Sequence, residues 1–393
     1  VSGYLIVLLV AVGTTAVTTP IVRRFAVRFG AVVAPDERRV HKRPTATLGG
    51  AAMYLGFLAG MATASRLEQF DPVFTGTSEP VGILLAATVI FAVGVLDDLR
   101  EVSAPAKVAG MVFAGGVLSL LGVTMLYFRV PFAGTVVLAP DLAPLLTVLW
   151  VVGMANAVNL IDGLDGLAAG IVGIAAGAFA LYSSKLFHLG LLPNASNSIS
   201  PLIAVIVLGM CLGFLPFNFH PAKIFMGDGG ALMLGLLMAS STLLVGGQTA
   251  EDASGSTFFF FAPLFIPFVI LGVPILDTAF AIVRRASRRS GVSVADKDHL
   301  HHRLMRLGHG QVRSVLILWA WTAILSGFAL WPVFTDRGSG LVPFAVLALA
   351  VALYTVLHPQ VRRVRRGQSD QLRLDLGLED EEAEPEHQVE RAD

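Results

Sequence analysis

The sequence holds a single cysteine, Cys211, and it falls in an apolar stretch. That excludes an intrachain disulfide and a cysteine-built zinc site. Charge is scarce as well: 14% of the 393 residues are charged, against about 25% in an ordinary soluble domain. No basic segment precedes the first apolar stretch, whose nearest positive charges, Arg23 and Arg24, come after it. A cleavable signal peptide has the reverse order, so the segment from Gly3 predicts a first transmembrane helix with its N-terminus outside. A phosphate-binding Lys-Ser/Thr pair is missing after Gly227-Asp228-Gly229-Gly230, so this glycine cluster is not a P-loop.

What is abundant is apolar sequence, 55% of the chain, in runs approaching the ~20 residues that span a bilayer. The pattern predicts an all-α polytopic membrane protein with about eleven transmembrane helices. The expected spans are 3–22, 48–65, 81–96, 106–121, 142–157, 167–182, 201–217, 231–245, 258–283, 315–334 and 341–357. Residues 1–358 read as one transmembrane domain, and 359–393, basic and then acidic, as a disordered tail unable to bury a core. If the loops alternate sides, 24 of the 28 Lys and Arg fall on one side, leaving Arg66, Arg129, Lys185 and Arg337 on the other. The positive-inside rule makes the basic side, and the C-terminus, cytoplasmic. The outer segment 123–141 alternates weakly around a glycine, which predicts a short hairpin.

The polar motifs gather on that same basic side. Asp97-Asp98 follow an apolar helix; adjacent carboxylates repel unless a cation joins them, so the pair suits Mg²⁺ binding or proton transfer as well as a plain helix end. Asn156-Ala-Val-Asn159-Leu-Ile-Asp162-Gly163-Leu-Asp165-Gly166 puts amides, carboxylates and glycines in a short connection, more polar groups than a turn beside a membrane needs. Lys223-Ile-Phe225-Met-Gly227-Asp228 opens a helix, where backbone N–H groups attract phosphate and a carboxylate can hold Mg²⁺; an N-cap aspartate is the simpler alternative. His299-Leu-His301-His302-Arg303 suits phosphate binding or proton transfer, or is a solvated basic loop. His41-Lys42-Arg43 either holds a lipid phosphate or only sets topology. Asp277 sits inside the ninth span, where a carboxylate normally has a partner.

Taken together, these segments resemble the polyprenyl-phosphate N-acetylhexosamine-1-phosphate transferase superfamily, glycosyltransferase family 4, over residues 1–335. The resemblance rests on Asp97-Asp98, the Asn-x-x-Asn-Leu-x-Asp-Gly-x-Asp-Gly segment, Phe-Met-Gly-Asp and His-Leu-His-His-Arg, in that order. It implies transfer of a sugar-1-phosphate from a UDP-sugar to a polyprenyl phosphate, undecaprenyl or decaprenyl, with release of UMP and use of Mg²⁺, Mn²⁺ standing in. The His-Leu-His-His-Arg form is similar to the UDP-GlcNAc branch. By the same resemblance Asp228 is the principal metal ligand with Asn159 a second. Asp97 and Asp98 form the catalytic pair near the lipid phosphate. Asp162, Asp165 and Asn218 line the nucleotide-sugar pocket, with Phe225 stacking on uracil. His299, His301 and His302 contact sugar and diphosphate, His301 and His302 as further catalytic residues, with Arg303 beside them, and Lys42 and Lys107 are candidates for phosphate. Glu101, Ala46 and Ala231 depart from residues common in the family.

The expected partners are thus a polyprenyl phosphate, UDP-N-acetylglucosamine and the bacterial plasma membrane, with the active site at its cytoplasmic face. No nucleic acid is expected, and a second copy of the chain is a candidate partner. The alternatives are a phospho-MurNAc-pentapeptide transferase, a membrane prenyltransferase, which shares aspartate-rich motifs but needs no histidine loop, and an ion-coupled transporter. The transporter would place its ionisable groups at the bilayer midplane, whereas here, apart from Asp277, they crowd one end.

Overall fold

The computed structural model describes residues 2–33, 44–100, 102–130, 134–188, 198–246, 304–305, 307–335 and 341–357. In chain order its helices are α1 (Ser2–Arg28), α2 (Gly49–Ala64), α3 (Asp71–Gly76), α4 (Glu79–Arg100), α5 (Ala104–Leu120) and α6 (Leu142–Ile161). They continue with α7 (Leu167–His188), α8 (Ser200–Asn218), α9 (Gly227–Gly246), α10 (Gln311–Thr335) and α11 (Leu341–Leu357). Seven of them, α1, α4, α6, α7, α8, α9 and α10, are long and apolar enough to cross a membrane; α2, α5 and α11 are apolar but shorter. Each expected span except the ninth coincides with one of these helices. The ninth span with Asp277, the histidine segment 299–303, Lys42 and the tail from 358 lie outside the described residues.

Two sequence expectations are corrected. α4 does not stop at Leu96 but carries Asp97 and Asp98 in its last turn. α6 likewise runs through Asn156 and Asn159 to Ile161, so the two amides sit on a helix and only 162–166 form the connection. Hydropathy ends a span at the first polar residue, whereas a helix continues while its polar side chains find partners on neighbouring helices. The connection between α2 and α4 folds into a 3-10 turn, Glu68–Phe70, and the short α3, which Pro72 starts; proline suits a first helical turn because its missing N–H would have no intrahelical partner there.

Two short strand pairs accompany the helices of this all-α architecture. Strands β1 (Val32–Val33) and β2 (Thr45–Ala46) pair antiparallel, and β3 (Tyr127–Val130) pairs with β4 (Gly134–Val137) in the register Tyr127 to Val137. The second pair is the hairpin expected from the alternation at 123–141, and Met125 N donates to Thr147 Oγ1 at 2.9 Å, tying it to α6.

α9 is the axis of the bundle. It packs against α2, α4, α6 and α8, and 94% of its membrane-length window is buried. Helices in lipid gain little from excluding water and associate through close packing of small residues. α9 supplies them at its contacts with α2, α4 and α6. A Cβ on Gly94 of α4 would lie 2.5 Å from Gly229 Cα, one on Gly50 of α2 2.2 Å from Gly230 N, and one on Gly235 2.5 Å from Ala155 Cα of α6. Large apolar side chains such as Leu9, Phe113, Leu149 and Val342 lie exposed on the outer helices, as lipid contact requires.

The same contacts order the ends of the helices. Gly50 meets Gly230, Gly94 meets Gly229, and Gly166 meets Phe219, while Arg23 Nε donates to Lys223 O at 2.9 Å. The C-terminal ends of α1, α4, α6 and α8 and the N-terminal ends of α2, α5, α7 and α9 therefore share one end of the bundle, and the motifs lie there. Gly94→Ala must push α4 off α9 and is expected to cost about 1–3 kcal/mol, lowering the melting temperature in detergent. Gly116→Ala, whose added Cβ meets nothing within 4 Å, is expected to leave it unchanged.

Candidate active site

The site begins at the last turn of α4. Asp98 turns its carboxylate onto the start of α9: Asp228 N donates to Oδ1 at 2.9 Å and Gly229 N to Oδ2 at 3.2 Å. These are amides of a helix's first turn, which have no partner within their own helix, and a carboxylate there also meets the positive end of the helix dipole. Gly227 makes the approach feasible. Its φ of +74° favours glycine, and a Cβ would lie 2.4 Å from Asp98 Oδ2. Asp98 thus joins α4 to α9 from outside, as a cap supplied by another helix.

Asp97 points to a different task. Its Oδ1 accepts from Val102 N at 2.8 Å, and its Oδ2 lies 2.5 Å from Lys107 Nζ on α5. The same ammonium bonds Asp228 Oδ2, and Asn159 Nδ2 from α6 reaches that oxygen at 3.4 Å. Four helices, α4, α5, α6 and α9, therefore bring Asp97, Lys107, Asn159 and Asp228 to one point. None of the four is fully buried.

Beside this cluster, the 162–166 turn is fastened to the 218–226 segment. Buried Asn218 accepts from Gly166 N at 3.0 Å and donates to Ile224 O at 3.1 Å. Buried Asp165 Oδ2 lies 2.7 Å from His220 Nδ1 and accepts from Ala222 N at 3.1 Å. Phe225 is held through its backbone, donating to Ala46 O at 2.8 Å and accepting from Gly49 N at 2.9 Å, which aligns the strand before α2 with the start of α9. Asp162, which caps the end of α6, accepts no side-chain hydrogen bond among the described residues. Burial pushes its carboxyl up to about 8, and the charges of Asp228, Asp98 and Asp165 add to the effect.

Of the residues singled out in the sequence, the structure brings together Asp97, Asp98, Lys107, Asn159, Asp162, Asp165, Asn218, Phe225 and Asp228. It also sorts them. Asp98 and Asn218 spend their polar atoms on backbone groups, while Asp97, Lys107 and Asp228 face one another. Two participants went unnoticed in sequence: His220, whose only signal was its place between Asn218 and Pro221, and Arg23, which looked like a topology charge.

Among the described residues no group of three or more His, Cys, Asp or Glu side chains forms a ready metal cage. Mg²⁺ needs none, because it is usually held by one or two carboxylates together with substrate phosphates and water. Asp97 and Asp228 converge on one ammonium, so they already define a place that requires positive charge. With the Asn159 amide, the donors are oxygen-rich and hard, and they fit Mg²⁺ or Mn²⁺ rather than a soft metal.

Residues 80–246 match the model of glycosyl transferase family 4. The chain is 38% identical over 350 residues to the decaprenyl-phosphate N-acetylglucosaminephosphotransferase of Mycolicibacterium smegmatis, an alignment covering 87% of this chain and 85% of that protein. It is 38% identical over 314 residues to the probable undecaprenyl-phosphate N-acetylglucosaminyl 1-phosphate transferase of Bacillus subtilis, covering 79% and 80%. To the phospho-N-acetylmuramoyl-pentapeptide-transferase of Desulforudis audaxviator it is 32% identical over 338 residues, covering 80% and 92%.

The raised Asp162 carboxyl has a consequence for stability. Its pKa lies at about 8 in the fold against 3.8 for the free group, so the folded state holds this proton more tightly than the unfolded chain. Its contribution is present below pH 3.8 and is lost as pH rises towards 8. In chelator, the melting temperature is expected to fall across that window, and Asp162→Asn is expected to flatten the fall.

Proposed function

Because the chain belongs to glycosyl transferase family 4, we propose that it transfers N-acetylglucosamine-1-phosphate from UDP-GlcNAc to a polyprenyl phosphate, undecaprenyl or decaprenyl, and releases UMP. This is the first membrane step of a cell-envelope polysaccharide. The observation that carries the reading is the meeting of Asp97, Lys107, Asn159 and Asp228 at one end of an apolar bundle. Identity of 38% to relatives named for that transfer, over most of both chains, supports the branch. The lower identity to the pentapeptide transferase makes the UDP-MurNAc-pentapeptide reading second.

The location supports the reaction. A polyprenyl phosphate keeps its chain in lipid and its head at the surface, while UDP-GlcNAc is soluble and cytoplasmic. Both meet where the basic loops gather, the side the positive-inside rule assigns to the cytoplasm.

The residues divide the work as their contacts suggest. Asp97 orients the lipid phosphate or takes its proton. An oxygen of that phosphate attacks the phosphorus bearing the sugar, a new P–O bond forms, and the bond to UMP breaks on the opposite side. Lys107, already between two carboxylates, offers its ammonium to the phosphates. Asp98 holds the N-terminus of α9 and through it fixes Asp228. Mg²⁺, held by Asp228 with Asn159, would supply charge neutralisation for the diphosphate and the departing UMP. Asp162 and Asp165 serve the nucleotide, and Phe225 stacks on the base. The diphosphate roles of His299, His301, His302 and Arg303 rest on the resemblance of their motif. Catalysis is positioning and charge stabilisation throughout.

UMP release by purified protein in detergent tests this. UMP is expected only when polyprenyl phosphate, UDP-GlcNAc and Mg²⁺ are all present, and faster turnover of UDP-MurNAc-pentapeptide would contradict the branch. Asp97→Asn and Asp228→Ala are each expected to cut turnover about 10²–10³-fold. Asp98→Asn is expected to do the same and also to lower the melting temperature, because it loosens the start of α9.

A further inference from the structure

Asp165 is a buried carboxylate whose two oxygens are used unequally. Oδ2 has two partners, His220 Nδ1 at 2.7 Å and Ala222 N at 3.1 Å. Oδ1 has no donor among the described residues. Asp165 also lies on the best-fastened turn of the site, held at Gly166 N by Asn218 Oδ1. In that turn the backbone is fixed by backbone and amide contacts, and among the described residues His220 is the one side chain that acts on the carboxylate itself. His220 comes from the segment between α8 and α9. Its side chain is 39% exposed against 9% for Asp165, so it reaches inward from the surface to a group that is covered.

A carboxylate on a fixed backbone still turns about its last torsion, which is broad and roughly two-fold. Binding a ligand to one oxygen then costs that freedom. A partner that already holds the other oxygen removes the cost before the ligand arrives, and preorganisation of this kind raises affinity. With Nδ1 as the donor, the contact uses one oxygen of Asp165 and leaves the second able to accept.

We propose that His220 is a positioning residue of the nucleotide pocket. By holding Oδ2 it makes Asp165 present Oδ1 to an N–H donor of the nucleobase, and among bases the imide N–H of uracil matches a lone carboxylate oxygen. The inference rests on the reading of this turn as the nucleotide pocket. It adds to that pocket a residue outside the aspartate and glycine motifs, acting through Asp165 rather than on the substrate.

The test uses the full chain in detergent, with UMP binding by calorimetry beside steady-state kinetics. His220→Ala is expected to weaken UMP binding and raise KM for UDP-GlcNAc about tenfold, the loss of one part-buried hydrogen bond. kcat should stay within about twofold, with KM for polyprenyl phosphate unchanged. His220→Asn can donate from nearly the position of Nδ1 and is expected to recover most of the affinity. In an Asp165→Asn background, His220→Ala is expected to add little, since residues acting through one contact are not additive. Unchanged UMP affinity in His220→Ala would overturn the proposal, as would an equal loss for both substrates accompanied by a lower melting temperature. Failure of the unmodified protein to bind UMP would overturn the functional reading itself, and the role of His220 with it.

Discussion

The start of α9 is the point on which the rest of this structure depends. It is the most enclosed of the membrane-length helices described, and its first-turn amides would be costly to bury unpaired. Asp98 supplies the acceptor from α4, with one carboxylate oxygen for Asp228 N and the other for Gly229 N. The glycines at 227, 229 and 230 let α4 and α2 come close enough for this to happen. One contact between two helices therefore fixes the direction of α9, the place of Asp228 on it, and the distance from Asp228 to Asp97.

That arrangement concentrates negative charge. Asp97, Asp98, Asp162, Asp165 and Asp228 lie at one end of an apolar bundle, where like charges repel strongly unless offset. Lys107 offsets two of them directly, and Asp165 has His220 as a hydrogen-bond partner. Asp162 has neither, and burial raises its pKa, with the surplus negative charge adding to the shift. A site that is short of positive charge at its centre is suited to a divalent cation arriving with a diphosphate. On the proposed function, that electrostatic tension is what the chemistry on phosphates uses.

Much of this was legible in the sequence, for physical reasons that differ by feature. The helices followed from apolar runs of bilayer length, and the gathering of motifs from loop alternation, since a membrane allows a chain only two sides. The 123–141 hairpin followed from alternation around a glycine. What stayed hidden were properties of pairs distant in the chain. Hydropathy could not carry α4 through Asp97 and Asp98 or α6 through Asn159, because the partners that stabilise those polar turns belong to other helices. The adjacent aspartates looked equivalent, yet successive positions on a helix point about 100° apart, and one serves backbone amides while the other faces an ammonium. His220 had no motif of its own, and only the fold brings it to Asp165.

The most direct measurement is a structure of the protein with Mn²⁺ and UMP, with the metal located by anomalous scattering. The account predicts a metal peak within coordination distance of Asp228, with Asp97 beside it, Asp98 still on the amides of Asp228 and Gly229, and the base of UMP at Asp165. A metal bound away from Asp228, or Asp98 leaving those amides to take the metal itself, would contradict it.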